Sequence, residues 1–208
     1  MRAPGSQILL FSGQPLPADL DEKAYWLLAA LDSAFGESMS SRLFMRLRER
    51  DGLCYNISST YSIGKAQSLW GVYASTSPQQ FERFAPAYRR ELCELQEKGL
   101  LEHEVEESRT RLLGMLSLAS DDCEYRMKRL ARMYLMNSRV EDIQTMADAC
   151  LAPEQLNAQT VNAFIRDHLD ISSENVLLFG KINAKAQRAA KVNLCFSSAW
   201  HKKRGKHG

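Results

Sequence analysis

The chain has little of what metal, redox or phosphate chemistry would need. It contains four histidines, and neither a His-x-x-Glu-His nor a His-Glu-x-x-His pairing occurs anywhere along it. Its five cysteines, Cys54, Cys93, Cys123, Cys150 and Cys195, lie far apart with no Cys-x-x-Cys pair. An odd, scattered set argues against a disulfide framework and against a zinc knuckle, and fits a reducing compartment. No glycine-rich phosphate loop of the usual types is present. Residues 1–7 lack the apolar run of a leader peptide, and no stretch reaches the roughly 18 apolar residues that a membrane crossing needs. A cytoplasmic location and no membrane partner are therefore expected. An excess of either sign of charge is also lacking: 27 Lys and Arg stand against 25 Asp and Glu, the net charge is +2, and that excess sits in His201–Gly208. The near-neutral body argues against a nucleic-acid-binding face there, and a short basic terminus reads first as a poorly ordered end.

What is present is an ordinary globular composition, 45% hydrophobic and 25% charged. Gln7–Phe11 is a short apolar run closed by Ser12-Gly13-Gln14-Pro15, a strand entering a loop. Asp19 or Asp21 is placed to cap a helix carrying Tyr25, Leu27, Leu28, Leu31 and Phe35 and ending at Gly36. Ser40 or Ser41 caps a second helix with Leu43, Phe44 and Leu47 on its apolar face, and Asp51-Gly52 is a turn signal. From Leu53 to Ile63 apolar residues recur at a period of two, which predicts a half-buried strand. Gly64-Lys65 turns the chain into a second strand near Leu69–Ala74.

Helices dominate the remainder. They are expected from Pro78 to Lys98 with Gly99 as the stop, and over Glu102–Ala119, Glu124–Met136, Val140–Ala149 and Pro153–His168. Asn175–Gly180 returns to an apolar strand. This order predicts an α+β fold, a small, mainly antiparallel sheet covered on one face by helices. It reads as a single domain over residues 1–182, followed by a tail of uncertain structure over 183–208 in which Leu194-Cys195-Phe196 and Trp200 are candidates to pack on a neighbour.

The block Met39-Ser40-Ser41-Arg42-Leu43-Phe44, followed by Leu47-Arg48-Glu49 and Gly52-Leu53-Cys54-Tyr55, resembles the signature of the insulinase or pitrilysin-like zinc metallopeptidases, the group that includes the mitochondrial processing peptidase. Gln7–Phe11, Glu102–Leu113, Arg126–Leu130 and Val176–Gly180 resemble further segments of that family in the same order. One departure is plain: where the family commonly has a glycine run before the serines, this chain has Gly36-Glu37-Ser38. The resemblance implies the C-terminal-type, metal-free αβ-roll domain of such an enzyme. Its partner would be a zinc-bearing N-terminal domain or subunit, forming a homo- or heterodimer or a single longer chain. Zinc is expected in that partner and no cofactor in this chain. Together the two would enclose an extended peptide substrate.

By matching to the family motif, Arg48 and Tyr55 would be the arginine and tyrosine that approach the scissile carbonyl. Their chemistry suits the role, because hydrolysis places negative charge on that oxygen and preorganised donors stabilise it. Arg stays charged and carries a forked donor set. The chain alone is expected to be inactive. An alternative is a non-catalytic scaffold subunit of the same fold.

Other candidates have weaker support. Taken without the resemblance, Arg42, Arg46, Arg48 and Arg50 read as a solvated face, and Tyr55 as a core tyrosine sharing a strand face with Leu53 and Ile57. His103 opens His-Glu-Val-Glu-Glu, which fails as a zinc motif at Glu107, and an acidic first turn favoured by the helix dipole explains it better. Cys54 has no visible base to activate it. Met127, Met133, Met136 and Met146 read as core filling.

Overall fold

The computed structural model describes residues 7–18, 20–137, 140, 142–180 and 182–194. Four strands, β1 (Ile8–Leu16), β2 (Asn56–Ser62), β3 (Ser68–Thr76) and β4 (Asn175–Gly180), form one sheet in the order β2-β3-β1-β4. Every pairing in it is antiparallel, so the α+β architecture read from the sequence stands.

The first strand runs further than its apolar start suggested, through Ser12-Gly13-Gln14-Pro15 to Leu16. Its alternation explains why. Ile8, Leu10, Ser12, Gln14 and Leu16 are buried on one face, while Phe11 and Pro15 point away. Pairing to β3 along its whole length supplies the tertiary hydrogen bonds that override local turn propensity. The strand expected from Leu53 begins instead at Asn56.

Helices α1 (Glu22–Asp32), α2 (Phe81–Lys98), α3 (Glu102–Ala119), α4 (Cys123–Asn137), α5 (Ile143–Cys150), α6 (Ala158–His168) and α7 (Ala184–Asn193) lie toward the face that buries Ile8, Leu10, Trp70, Val72 and Ile57. Asp21, one of the two candidate caps, accepts the Ala24 N–H at 2.7 Å; Asp19 lies outside the described residues. Asn157 and Asn183 cap α6 and α7 in the same way, which is why α6 begins at Ala158 and not at Pro153. Pro78 falls in the turn before α2, whose helix starts at Phe81. Within the core, Phe84 and Tyr88 stack one turn apart on α2, with ring centroids 5.8 Å apart. Phe35, Trp70, Phe81 and Phe84 are among the largest fully buried side chains of that core, and burying each is worth about 1.5–3 kcal/mol.

The segment from 183, for which the sequence offered no structure, carries α7. It packs on α2 through buried Ala186 and Ala190. Leu194 is buried as well, whereas Cys195, Phe196, Trp200 and the basic end lie outside the described residues. The methionines divide. Met133 and Met146 are buried, but Met127 is exposed and is not core filling. Among the described residues no helix is long and apolar enough to cross a membrane.

Candidate functional site

The segment that carries Arg48 packs against α2 and β2, and Tyr55 directly precedes β2. The helix expected after Ser41 forms, but from Phe44 to Arg50 it is a π-helix. The Asp51 N–H reaches the Arg46 carbonyl five residues back, at 3.1 Å. Such a widened turn is rare and recurs at functional sites. A second π-turn, Ser33–Glu37, extends α1 and brings Gly36 against β2. A Cβ on Gly36 would lie 2.6 Å from Ser59 Oγ and 2.8 Å from Ser59 N, so this position has room for glycine alone. Gly52, with φ of 60°, then lets the chain reverse. The Leu53 N–H closes the turn on the Leu47 carbonyl at 2.8 Å, and the Thr76 hydroxyl donates to the Leu53 carbonyl at 2.6 Å. These bonds tie the end of the π-helix, with Arg48, to the segment leading into β2, with Tyr55.

The four arginines of this segment are not one solvated face. Arg42 is buried and bonds both carboxylate oxygens of Glu104 on α3, with a further bond to the Gly99 carbonyl at 2.9 Å. Burial opposes ionisation of Glu104, but Arg42 and the Leu101 N–H outweigh it and hold its pKa below the usual carboxylate range. Arg46 bonds Glu91 and Glu94 on α2, each at 2.8 Å. Arg50 grips the neighbouring Asp51 with two bonds. Arg48 differs from these three. Its side chain is 38% exposed, its guanidinium lies 4.5 Å from the centre of the Phe44 ring, and its ion pair with Glu49 is long, at 3.7 Å. Of the four, it is the one whose donors are not taken by a hydrogen bond to a carboxylate.

Tyr55 is not a core tyrosine. Leu53 and Ile57 are buried as alternation requires, but Tyr55 is 59% exposed, because it lies in the bend just before β2 begins. Its N–H bonds the Ser75 carbonyl at 2.8 Å, while its hydroxyl makes no hydrogen bond within the described residues. Arg48 thus has a guanidinium without a close carboxylate hydrogen bond, and Tyr55 a hydroxyl that makes none within the described residues. Burial pushes the neighbouring Cys54 thiol up to about 11, against the opposing pull of Arg48, which disfavours the thiolate.

Arg111 of α3, which sequence reasoning did not pick out, steadies this segment. It donates to Ser33 Oγ at 3.0 Å and to Ser40 Oγ at 2.8 Å, clamping the loop that leads into the π-helix. No local pattern marks it, because its partners lie 71 and 78 residues away in sequence. The residues around His103 do not fit zinc. His103 is exposed, Glu104 is held by Arg42, and among the described residues no group of three His, Cys, Asp or Glu is placed to hold a metal ion.

The face of the sheet opposite the helices is a second feature of the molecule. Strand register places Asn56, Ser58, Thr60 and Ser62 of β2 on it, and Leu9 and Phe11 of β1. Tyr73 of β3 and Leu177 and Phe179 of β4 share this face. No position on it is Asp, Glu, Lys or Arg. Antiparallel sheets that turn one face to water usually alternate apolar-in with polar-out, so an uncharged and partly apolar outer face is a departure that points to contact with something other than bulk water.

Comparison with known proteins agrees with this architecture. Residues 2–112 match the family described as the peptidase M16 inactive domain. An uncharacterised zinc protease of Streptomyces coelicolor is 36% identical over 124 residues, 59% of this chain and 27% of that protein. Another, from Bacillus subtilis, is 27% identical over 145 residues, 70% of this chain and 34% of that protein. The chain therefore spans about a third of the length of these curated relatives. Among solved structures, the peptidase M16 inactive domain from Pseudomonas fluorescens superposes with a TM-score of 0.74 at 19% identity, covering 84% of this chain and 40% of that one. An inactive peptidase domain from Bordetella parapertussis gives 0.69 at 16% identity, covering 88% of this chain and 97% of that one. With the family match extending over more than half its length, and with the same fold in these structures, the chain belongs to the peptidase M16 inactive-domain family.

Proposed function

We propose that this chain is the non-zinc-binding half of a zinc peptidase, which closes a peptide-binding chamber and stabilises the oxyanion formed in peptide-bond hydrolysis. A zinc-bearing partner domain or subunit supplies the water-activating metal; this chain supplies hydrogen-bond donors and an uncharged wall. The observation that carries the reading is the contrast among the arginines. Arg42, Arg46 and Arg50 are spent on carboxylates, whereas Arg48 makes no close carboxylate bond and Tyr55 is exposed in the bend just before β2. In the closed assembly, Arg48 and Tyr55 donate to the carbonyl oxygen as it gains negative charge. Each such donor is worth on the order of 3 kcal/mol when held in a water-excluded site. The rigid ring of Tyr55 and the stacking of Arg48 on Phe44 limit the freedom lost on binding.

The reading is tested in the native zinc-bearing assembly with Arg48→Ala and Tyr55→Phe. Each substitution is expected to lower kcat by about a hundredfold or more, with little change in peptide affinity, the mark of an interaction made in the transition state. The 208-residue chain by itself is expected to hydrolyse no peptide. Unaltered turnover in both variants refutes the assignment, and turnover by the isolated chain refutes the division of labour.

A further inference from the structure

Two π-turns follow one another along the chain, Ser33–Glu37 and Phe44–Arg50, and the bend Ser38–Ser40 leaves the first of them toward the second. Met39 in that bend is 80% exposed, so packing does little to hold it. The backbone adds one bond, from the Ser41 N–H to the Ser38 carbonyl at 3.1 Å. Side chains supply the rest. The Ser38 hydroxyl donates to the Ser33 carbonyl at 3.0 Å. Arg111 reaches across from α3 and spans the bend, with Nη1 donating to Ser33 Oγ at 3.0 Å and Nη2 to Ser40 Oγ at 2.8 Å. Unlike Arg42, Arg46 and Arg50, it has no carboxylate partner among the described residues, and its hydrogen bonds go to neutral oxygens. Its removal therefore strands no buried charge, in contrast to that of Arg42.

We propose that Arg111 is a positioning residue for Arg48: by pinning Ser33 and Ser40 it fixes the entry of the π-helix, and with it the direction in which the Arg48 guanidinium points. The proposal rests on the functional reading above and adds to it the residue that sets the donor's geometry. The reason lies in the width of the turn. The Met45 N–H bonds the Ser41 carbonyl four residues back, whereas the Asp51 N–H bonds the Arg46 carbonyl five back. The segment thus passes from α-type to π-type pairing around Arg48. A change of one residue in that register rotates the side chains of the turn by as much as about 100° around the axis. The far end of the turn is held by the Leu53 N–H on the Leu47 carbonyl, and Arg46 is held to α2 by Glu91 and Glu94. At the near end the buried Arg42 anchors the first helical turn to α3, and Arg111 anchors the bend before it. A guanidinium suits the task. Its planar fork keeps two donors at a fixed separation, so Ser33 and Ser40 cannot drift apart while both bonds persist, and its charge strengthens both bonds.

The test measures turnover in the native zinc-bearing assembly and side-chain NMR of the full 208-residue chain with labelled arginine. Arg111→Ala is expected to lower kcat about tenfold and to change KM by less than about twofold, because a displaced donor loses its transition-state contact and leaves peptide affinity alone. In an Arg48→Ala background the same substitution is expected to cost less than about twofold, since the group it positions is gone. Ser40→Ala should reproduce the loss, and Ser40→Thr, which keeps the hydroxyl, should keep the parent rate. The Arg48 side-chain resonances, displaced by the Phe44 ring and assigned by their absence from Arg48→Lys, should move in Arg111→Ala and Ser40→Ala but not in Ser40→Thr. If Arg111→Ala fails to fold, Ser40→Ala, at an exposed position, is judged by the same criteria. Arg48 resonances that stay in place, a kcat loss of equal size in both backgrounds, or a raised KM with kcat unchanged, as direct contact of Arg111 with substrate would give, each overturns the proposal. Unaltered turnover in Arg48→Ala sinks the catalytic reading and leaves the resonance shifts to decide this one. Turnover loss in Arg48→Ala with Arg48 resonances unmoved by Arg111→Ala sinks this proposal alone.

Discussion

Replacing Arg42 should separate structure from chemistry within a single arginine-rich segment. Its guanidinium is buried, bonds both oxygens of Glu104, and donates to the Gly99 carbonyl at 2.9 Å. Arg42→Ala removes all three bonds and leaves the Glu104 carboxylate, itself largely buried, with the Leu101 N–H as its remaining hydrogen-bond donor. Breaking a buried pair from one side costs about 3–5 kcal/mol, because the surviving charge is stranded. With a urea m-value of roughly 3 kcal/mol per molar, the unfolding midpoint falls by about 1–1.7 M. The double variant Arg42→Met with Glu104→Gln takes away both charges and should recover most of that loss. Arg48→Ala, by contrast, loses an exposed 3.7 Å ion pair and one stacking contact, together worth under about 1 kcal/mol. Urea titrations followed by circular dichroism measure all of these. The reasoning fails if Arg42→Ala costs less than about 1 kcal/mol, or if Arg48→Ala costs as much as Arg42→Ala does.

Other outcomes follow from the same structure. Burial raises the Asp32 carboxyl to about 6, against the opposing bonds from Ser59 and Trp70. Because the folded pKa exceeds the unfolded one, its contribution to stability is fully present below about pH 4 and is lost as pH rises through 6. Asp32→Asn, neutral throughout, should therefore exceed the parent in stability at pH 7.5 by up to about 3 kcal/mol, and the gap should close toward pH 4 in parallel urea titrations. A gap that widens on acidification would contradict this. Gly36→Ala forces β2 away at Ser59, since backbone lies within 2.8 Å of the added carbon. A loss of about 1–3 kcal/mol is expected in thermal unfolding, and a neutral result would mean that the π-turn and β2 separate easily. Gly52→Ala meets open space but keeps a φ of 60°, so its cost should be the backbone term alone, about 1 kcal/mol.

The sequence by itself determined the local elements. Alternation from Leu53 to Ile63 marked β2, Asp51-Gly52 marked the turn, and caps and apolar periodicity marked α1 to α6 but not α7, because each of these signals arises between residues close in the chain. It also supplied Arg48 and Tyr55 as a pair, through a motif that sets them seven residues apart. Tertiary structure alone decided which arginine is free. Arg42 is claimed by Glu104, 62 residues away, and Arg46 by Glu91 and Glu94, 45 and 48 away; no local pattern announces such partners. The same holds for Tyr55, whose place in the bend before β2 exposes a ring that parity alone would bury. The uncharged face is likewise invisible in one dimension. Its members come from four strands spread between Leu9 and Phe179, and only antiparallel register, which gathers alternate residues of each strand on one side, makes them a surface.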